Sequence, residues 1–408
     1  MSRLLGLVSA VAALAMSTNT FADQLLAQQS QSMNNQNCQK KEMGCFEQGC
    51  PIPDNKMMKS DMYPKAYSAS AAIVNKDGWD LDVGASFIYW YAYQQNMDIA
   101  YDQPTFTVGG LDNTAGGSGS FLQQSFSYQP GFKVNGAWNT DYDGWCVGAQ
   151  YTWLYETQDT DTTAASVQGA ISDGWILNDW FASPSLIGSP AGWNGADAAG
   201  VMAEVTFADA ASKWKMQFNQ IDVTVGRPYY HGHHLTVSPS GGVRVVWMKQ
   251  TMNITMTGGD ASYASVAQSL NSQKSWAVGP MFATNAHFNF WKAFRLEGKA
   301  GASVLYTNWT SVTHKESTTT LSAFQNTNSS STDDLSSLTP TVDMGLGIGG
   351  GGYFCDCAFF LDAAVRYDFS VLFNQNAMRQ FTSILNGSPD HFGDLMMHGL
   401  TVDVNFSF

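Results

Sequence analysis

Alternation of apolar and polar residues with a period of two recurs between Gly78 and Phe408, most cleanly over Trp145–Tyr155 and again at the carboxyl end. Reading back from Phe408, every second residue is apolar: Phe406, Val404, Val402, Leu400. Those between are Ser407, Asn405, Asp403, Thr401 and Gly399. Successive side chains of a strand point to opposite faces, so Leu395–Phe408 is a strand with one apolar and one polar face. Transmembrane barrels use strands of about 9–11 residues, apolar toward lipid, polar toward the lumen, with aromatic girdles at both interfaces.

The same pattern predicts strands over Asp80–Tyr91, Phe126–Trp138, Trp145–Tyr155, Trp214–Arg227, Leu235–Ile254, Trp276–Phe288, Phe294–Tyr306, Pro340–Ile348 and Phe359–Phe373. That makes about ten, with twelve or more if loops hide strands; Val201–Phe207 reads equally as strand or folded loop. Pro130-Gly131 predicts a bulge, because proline cannot donate to a ladder. Apolar parity changes between Phe218 and Ile221, which predicts a second bulge. Asn139–Gly144, Pro228–His234, Asn289–Ala293 and Gly350–Cys357 read as short turns at the periplasmic end. Glu156–Ser212 and Ser311–Leu338 read as long external loops. Short turns alternating with long loops are the asymmetry of outer-membrane barrels, so the expected fold is an all-β, antiparallel up-and-down transmembrane barrel.

The amino terminus changes the compartment. Met1-Ser2-Arg3, the apolar run Leu4–Met16 and Thr20-Phe21-Ala22 read as a signal peptide over residues 1–22. No stretch reaches the roughly 20 apolar residues of a spanning helix, and an integral protein without such helices must close its backbone hydrogen bonds in a barrel. Residues 23–77, rich in Gln, Asn, Ser and Met, are too polar for a core and read as a loosely ordered periplasmic segment before a barrel at 78–408. A net charge of -14 argues against nucleic-acid partners. The expected partners are outer-membrane lipid and the barrel-assembly machinery, with a homo-oligomer or a disulfide-linked envelope as further candidates.

Candidate chemistry is sparse. Parity turns Lys133, Asp222, Arg244, Arg295, Glu297, Lys299, Asp343, Asp362, Arg366 and Asp403 inward as pore-lining candidates. They form either paired charges that brace the barrel or, with Arg295 and Lys299 flanking Glu297, a transverse field across a constriction. Cys38, Cys45, Cys50, Cys146, Cys355 and Cys357 gather at the periplasmic end, where disulfides within or between chains are favoured over zinc. The His-rich turn Tyr229–His234 is a weak compositional hint of metal, and no metal or other cofactor is expected. The glycine runs lack the context of a phosphate loop, and no catalytic signature is present.

Three stretches resemble the major outer membrane protein family first described in Legionella and also found in chlamydia-related bacteria: FSYQPGFKVNGAWNTDYDGWCVGAQYTWLY (Phe126–Tyr155), WKMQFNQIDVTVGRPYYHGHHLTVSPSGGVRVVW (Trp214–Trp247) and VLFNQNAMRQF (Val371–Phe381). The similarity spans Gly78–Phe408, and the Cys-bearing segment looks more like the chlamydia-related members. The resemblance implies a surface-exposed, porin-like protein with no catalytic residues to carry over. The expected function is passive diffusion of small hydrophilic solutes and ions across the outer membrane of a Gram-negative-type bacterium. The alternative is a structural or adhesive surface protein, since about ten strands leave a narrow bore.

Phe408 resembles the carboxyl-terminal assembly signal of bacterial outer-membrane barrels. Its deletion, or Phe408→Asp, should lower the folded, heat-modifiable fraction in outer-membrane preparations while secretion is unchanged. Normal folding yield would remove that role.

Overall fold

A computed structural model of the chain describes residues 71, 73, 75, 79–105, 107–108, 115–116, 120–140, 144–163, 173–177, 180, 209–231, 234–257, 266–290, 294–319, 325–355, 358–381 and 392–408. The expected signal peptide, Cys38, Cys45, Cys50, Cys357 and Val201–Phe207 lie outside them, as does nearly all of the expected periplasmic segment.

Ten strands close a barrel: β1 (Leu81–Gln94), β2 (Tyr128–Asn139), β3 (Cys146–Thr163), β4 (Asp209–Gly226), β5 (Leu235–Thr257), β6 (Val266–Asn289), β7 (Phe294–Thr319), β8 (Leu335–Phe354), β9 (Phe359–Asn376) and β10 (Gly393–Ser407). Each pairs antiparallel with its neighbours in sequence, and β10 returns to β1 with Val83 opposite Phe406 and Phe87 opposite Val402. The seam is sealed at its end, where the backbones of Leu81 and Phe408 exchange two hydrogen bonds of 3.0 Å. Closure leaves no unpaired edge, the condition for a sheet in lipid. Some inward positions admit only glycine: a Cβ at Gly242 would run into the Val223 carbonyl, and one at Gly279 into that of Val304.

The lower wall follows the expected parity. Val83, Phe87, Phe132, Val134, Val223, Val243, Phe282, Val304, Leu346, Val365 and Val404 are exposed on the outer face. Trp138, Trp145, Phe288, Phe290 and Phe294 ring the short-turn end. The other girdle holds Tyr89, Tyr128, Trp247, Tyr306 and Tyr367, with Trp276 and Tyr306 in edge contact at 6.0 Å between ring centroids.

Above the second girdle the polarity of the two faces inverts. On β5, Trp247 is followed outward by Lys249, Thr251, Asn253 and Thr255, while Met248, Met252, Ile254 and Met256 turn inward and are buried. Lipid no longer surrounds this part, so the wall becomes that of a water-soluble barrel with an apolar core. The inversion corrects the bulge expected on β4. Trp214, Met216 and Phe218 fill the upper core, Ile221, Val223 and Val225 face out below, and the register with β3 and β5 runs without a shift from Asp209 to Gly226. The change of parity marks the level at which the outside solvent changes.

Three further expectations need correction. Pro130-Gly131 makes no bulge: Tyr89 faces Pro130 and Ile88 faces Gly131 in continuous register, and Pro130 lies just beyond the first rung with β3. Ser311–Leu338 is not simply a loop, because β7 runs to Thr319 and Gln325–Thr332 folds back along it. Gly350–Phe354 belongs to β8 rather than to a turn, with Gly351 opposite Asp362, so the connection narrows to Cys355–Ala358. Register shifts fall instead at Lys274/Ser275 and between Leu372 and Asn376.

The inversion is tested by polarity swaps. Met252→Asp should destabilise the refolded protein strongly in urea titrations, and Met216→Ala should cost about 2–5 kcal/mol. Thr251→Asp, one residue away and outward, should cost less than about 0.5 kcal/mol. Equal costs at 251 and 252 would contradict the assignment of faces.

Candidate functional site: the barrel interior

All ten candidates taken from parity face the interior, where nine of them, all but Lys299, assemble with Asp368 into one ion-pair layer. Arg244 grips Asp222 with two hydrogen bonds (Nε–Oδ1 2.8 Å, Nη2–Oδ2 3.0 Å) and sends Nη1 to Asp343 at 2.6 Å and to Thr341 at 3.0 Å. Arg295 grips Asp362 in the same two-pronged manner, at 2.6 Å for each bond, and donates to Glu297 at 2.7 Å. Arg366 reaches Asp403 at 2.8 Å and Glu297 at 3.3 Å. Lys133 donates to Asp368 at 2.9 Å with its ammonium 4.4 Å from the centroid of the Trp90 ring. Ser86, Ser370 and Thr401 donate to Asp403, Asp343 and Asp368.

With Lys299 included, five cations (Lys133, Arg244, Arg295, Lys299, Arg366) thus face six carboxylates (Asp222, Glu297, Asp343, Asp362, Asp368, Asp403), so this part of the interior is nearly neutral. Arg295 is held by two carboxylates and projects no free field across the bore, so it fits the bracing arrangement. Lys299 carries no ion pair and lines the cavity below. Asp368 is inward by the same parity though absent from the ten candidates; the parts of Ser86 and Thr401 show only once β9, β10 and β1 are adjacent.

Below the layer lies a polar cavity of about 300 Å³ at the short-turn end, bordered by Asn135, Gln150, Asn285, His287, Lys299 and Asn405. Above the layer the barrel is filled. Ile88, Trp90, Ala92, Leu154, Trp214, Phe218, Leu305 and Met397 pack into one apolar cluster, capped by Met97, Ile99 and Trp180.

One wall remains polar through this core. Thr341 and Ser303 (2.6 Å) sit beside Arg244, followed by Thr339 and Thr307 (2.8 Å), and then Ser275 and Gln273 on β6. At its outer end Gln250 binds Gln94 at 2.9 Å and Gln375 at 3.1 Å, and Gln273 accepts from the Ala377 N–H at 2.7 Å. Gln250 Oε1, Gln273 Nε2, Gln375 Nε2 and Trp309 Nε1 are buried there without a partner among the described residues. No charge-based reading of the sequence points to these residues. The signal available was their inward parity within strands longer than a membrane requires.

The remaining candidates lie at the short-turn end. Cys146 opens β3 and Cys355 sits in the β8–β9 turn, both as free thiols. His231 ends the short strand Tyr229–His231, and His234 Nδ1 bonds to the Asn289 carbonyl at 2.8 Å. No cluster of three or more metal-ligating side chains occurs among the described residues.

A closed barrel with an apolar belt, two aromatic girdles and a charged interior defines an integral outer-membrane protein. Residues 74–408 match the family described as the Legionella pneumophila major outer membrane protein precursor, and the chain belongs to that family. No curated protein matches the chain. Among solved structures it is similar to the outer membrane protease OmpT of Escherichia coli, at 8% identity and a TM-score of 0.32, covering 80% of this chain and 96% of that one. It is also similar to the Pseudomonas putida toluene transporter TodX, at 9% identity, a TM-score of 0.25, and 83% and 95% coverage. A FadL homologue of Pseudomonas aeruginosa matches at 10% identity and a TM-score of 0.23, covering 83% and 96%. These scores are too low to bear on function.

The ion-pair layer makes a stability prediction. Arg244→Met leaves Asp222 and Asp343 without their cation and should cost about 3–5 kcal/mol in urea unfolding. Adding Asp222→Asn should recover part of that loss, giving a coupling energy of at least about 1 kcal/mol in the double-mutant cycle. Additive costs would mean that the pair is not coupled.

Proposed function

We propose that the protein is a porin-like channel of narrow bore, admitting small hydrophilic solutes through the outer membrane. The observation that carries this reading is the polar wall from Thr341 to Gln273, which continues upward from the charged layer past the apolar core. Buried polar atoms in native proteins nearly always have partners, so the four unpartnered ones at its outer end are points where water or a polar solute would bond. The cavity below offers a wet approach from the short-turn side. Ten strands cannot hold the wide aqueous lumen of a 16–18-stranded porin, so any path is a file along one wall.

A second reading, a structural or adhesive surface protein, has its own support. The apolar core closes the outer half of the barrel, and β5, β6 and β7, at 23, 24 and 26 residues, stand well above the membrane as a display surface. In that reading the cysteines at the short-turn end, including Cys146 and Cys355, would tie barrels into a cross-linked envelope. A role in assembly for Phe408 and a cleaved signal at residues 1–22 are common to both readings.

Proteoliposomes separate them. Refolded protein should accelerate swelling in isosmotic glycerol or arabinose over protein-free vesicles. Gln273→Leu combined with Thr307→Val should lower that rate severalfold without altering folding. No swelling with correctly folded, inserted protein would assign the barrel to display and bracing.

A further inference from the structure

The ten described strand cations divide evenly. Five face the interior; the other five, Lys213, Lys215, Lys249, Lys274 and Lys315, project outward from β4, β5, β6 and β7. All five stand on one side of the barrel, and all lie beyond the outer aromatic girdle. Lys249 and Lys274 are directly opposite each other, with Trp247 and Trp276 opposite each other two residues below. One row up, Lys215 faces Thr251, and in the next row Lys213 faces Asn253. Lys315 on β7 faces Leu270 on β6. Among the described residues Lys213 pairs with Asp159 at 2.9 Å, and Lys215, Lys249, Lys274 and Lys315 make no ion pair. Of the other acids, Asp161 and Asp209 lie toward its β3 edge, and Asp333 and Asp334 sit in the connection that follows Gln325–Thr332, on the far side of β7 from Lys274.

Like charges directly opposite on neighbouring strands repel, so a Lys249–Lys274 pair with no carboxylate of the described residues in ion-pair contact is costly unless an anion from outside covers it. The height of the pair says what that anion is. From Leu235 at the lower rim to Trp247 is 12 residues, which at about 3.4 Å per residue and a tilt of about 45° climbs roughly 29 Å, the depth of the hydrocarbon layer. Lys249 and Lys274 then stand about 5 Å higher, at the level of the lipid headgroups. Below them, Val243, Val278, Phe282 and Val304 offer an apolar surface along which acyl chains can lie.

We propose that this face of β4–β7 is a binding site for a phosphate-bearing lipid of the outer leaflet. Its phosphates sit over Lys215, Lys249 and Lys274, and its chains run down the wall beneath Trp247 and Trp276. Lysine suits the role as a compact cation that serves phosphate without a fixed approach direction. A basic cluster at a membrane surface attracts anionic headgroups.

The test uses the full barrel refolded in zwitterionic detergent, mixed with bis-phosphorylated lipid A or with phosphatidylcholine, and weighed by native mass spectrometry. The wild type should retain lipid A adducts at least about tenfold more than the triple variant Lys215→Gln, Lys249→Gln, Lys274→Gln. Phosphatidylcholine adducts should be equal in the two proteins. The substituted side chains are exposed, and heat-modifiability confirms that the variant is folded. Equal lipid A retention in wild type and variant would overturn the site. So would a preference for phosphatidylcholine, or a dimer that the variant loses, the last assigning the face to a second copy of the chain.

Discussion

A barrel of ten strands encloses so little space that an inward side chain must find its partner within the wall. Water cannot solvate each charge separately, and an isolated buried charge would be very costly. That constraint explains why Arg244, Arg295 and Arg366 each hold two or more carboxylates, and why hydroxyls of Ser86, Ser370 and Thr401 are drawn into the same layer. It also explains the apolar filling above. Where no ion pair is made, a narrow interior is most cheaply packed with flexible side chains such as Met216, Met248, Met252 and Met256, which adapt to irregular gaps.

The outer face obeys a different constraint, set by what lies beside it. Lipid demands apolar side chains up to Trp247 and Trp276, and water permits Lys249, Thr251 and Asn253 above. Inside and outside therefore exchange polarity at one level while the strands run on unbroken. The two aromatic girdles mark the limits of the lipid-facing band, and the interior layers are tied to the same heights: charged below the upper girdle, and at and above it an apolar core crossed by the polar wall and by the buried His314–Glu316 pair.

How much of this could be read from the chain depends on whether a residue's meaning is local. Strand positions, the short turns and the inward direction of Arg295, Glu297 and Lys299 follow from period-two alternation alone, because parity survives without tertiary contacts. The partners of those charges do not, since Glu297 on β7 meets Arg366 on β9 only through the closed sheet. At Phe218 and Ile221 the alternation was legible but its cause was not. A shift of apolar parity has two physical sources, an extra residue in the strand or a change of solvent outside it, and only the unbroken register against β3 and β5 separates them. The Ser/Thr-rich stretch after Ser311 misleads for the same reason. Outward residues there are polar because they meet water, and the apolar inward positions are few, so a strand above the membrane reads as a loop.

The polar wall is the place where these constraints conflict. A purely structural filling of the upper barrel would favour Val or Leu at Thr307, Thr339, Gln250 and Gln273, since apolar packing there carries no cost of burying amides and hydroxyls. Instead the hydroxyls are bonded in pairs across β7 and β8, while part of each of Gln250, Gln273 and Gln375 remains unpartnered. Each such atom costs of the order of 1–3 kcal/mol if nothing occupies its bonding position. Four of the orphaned atoms stand together about Ala377 at the outer end of the wall, while others, such as Glu156 Oε1 and Trp214 Nε1, lie elsewhere in the core; it is the group of four that a route along this wall would use. The Met-rich side of the same core can shift rotamers without breaking any hydrogen bond, so a solute moving along Thr341, Thr307 and Gln273 would displace soft packing on one flank and exchange hydrogen bonds on the other.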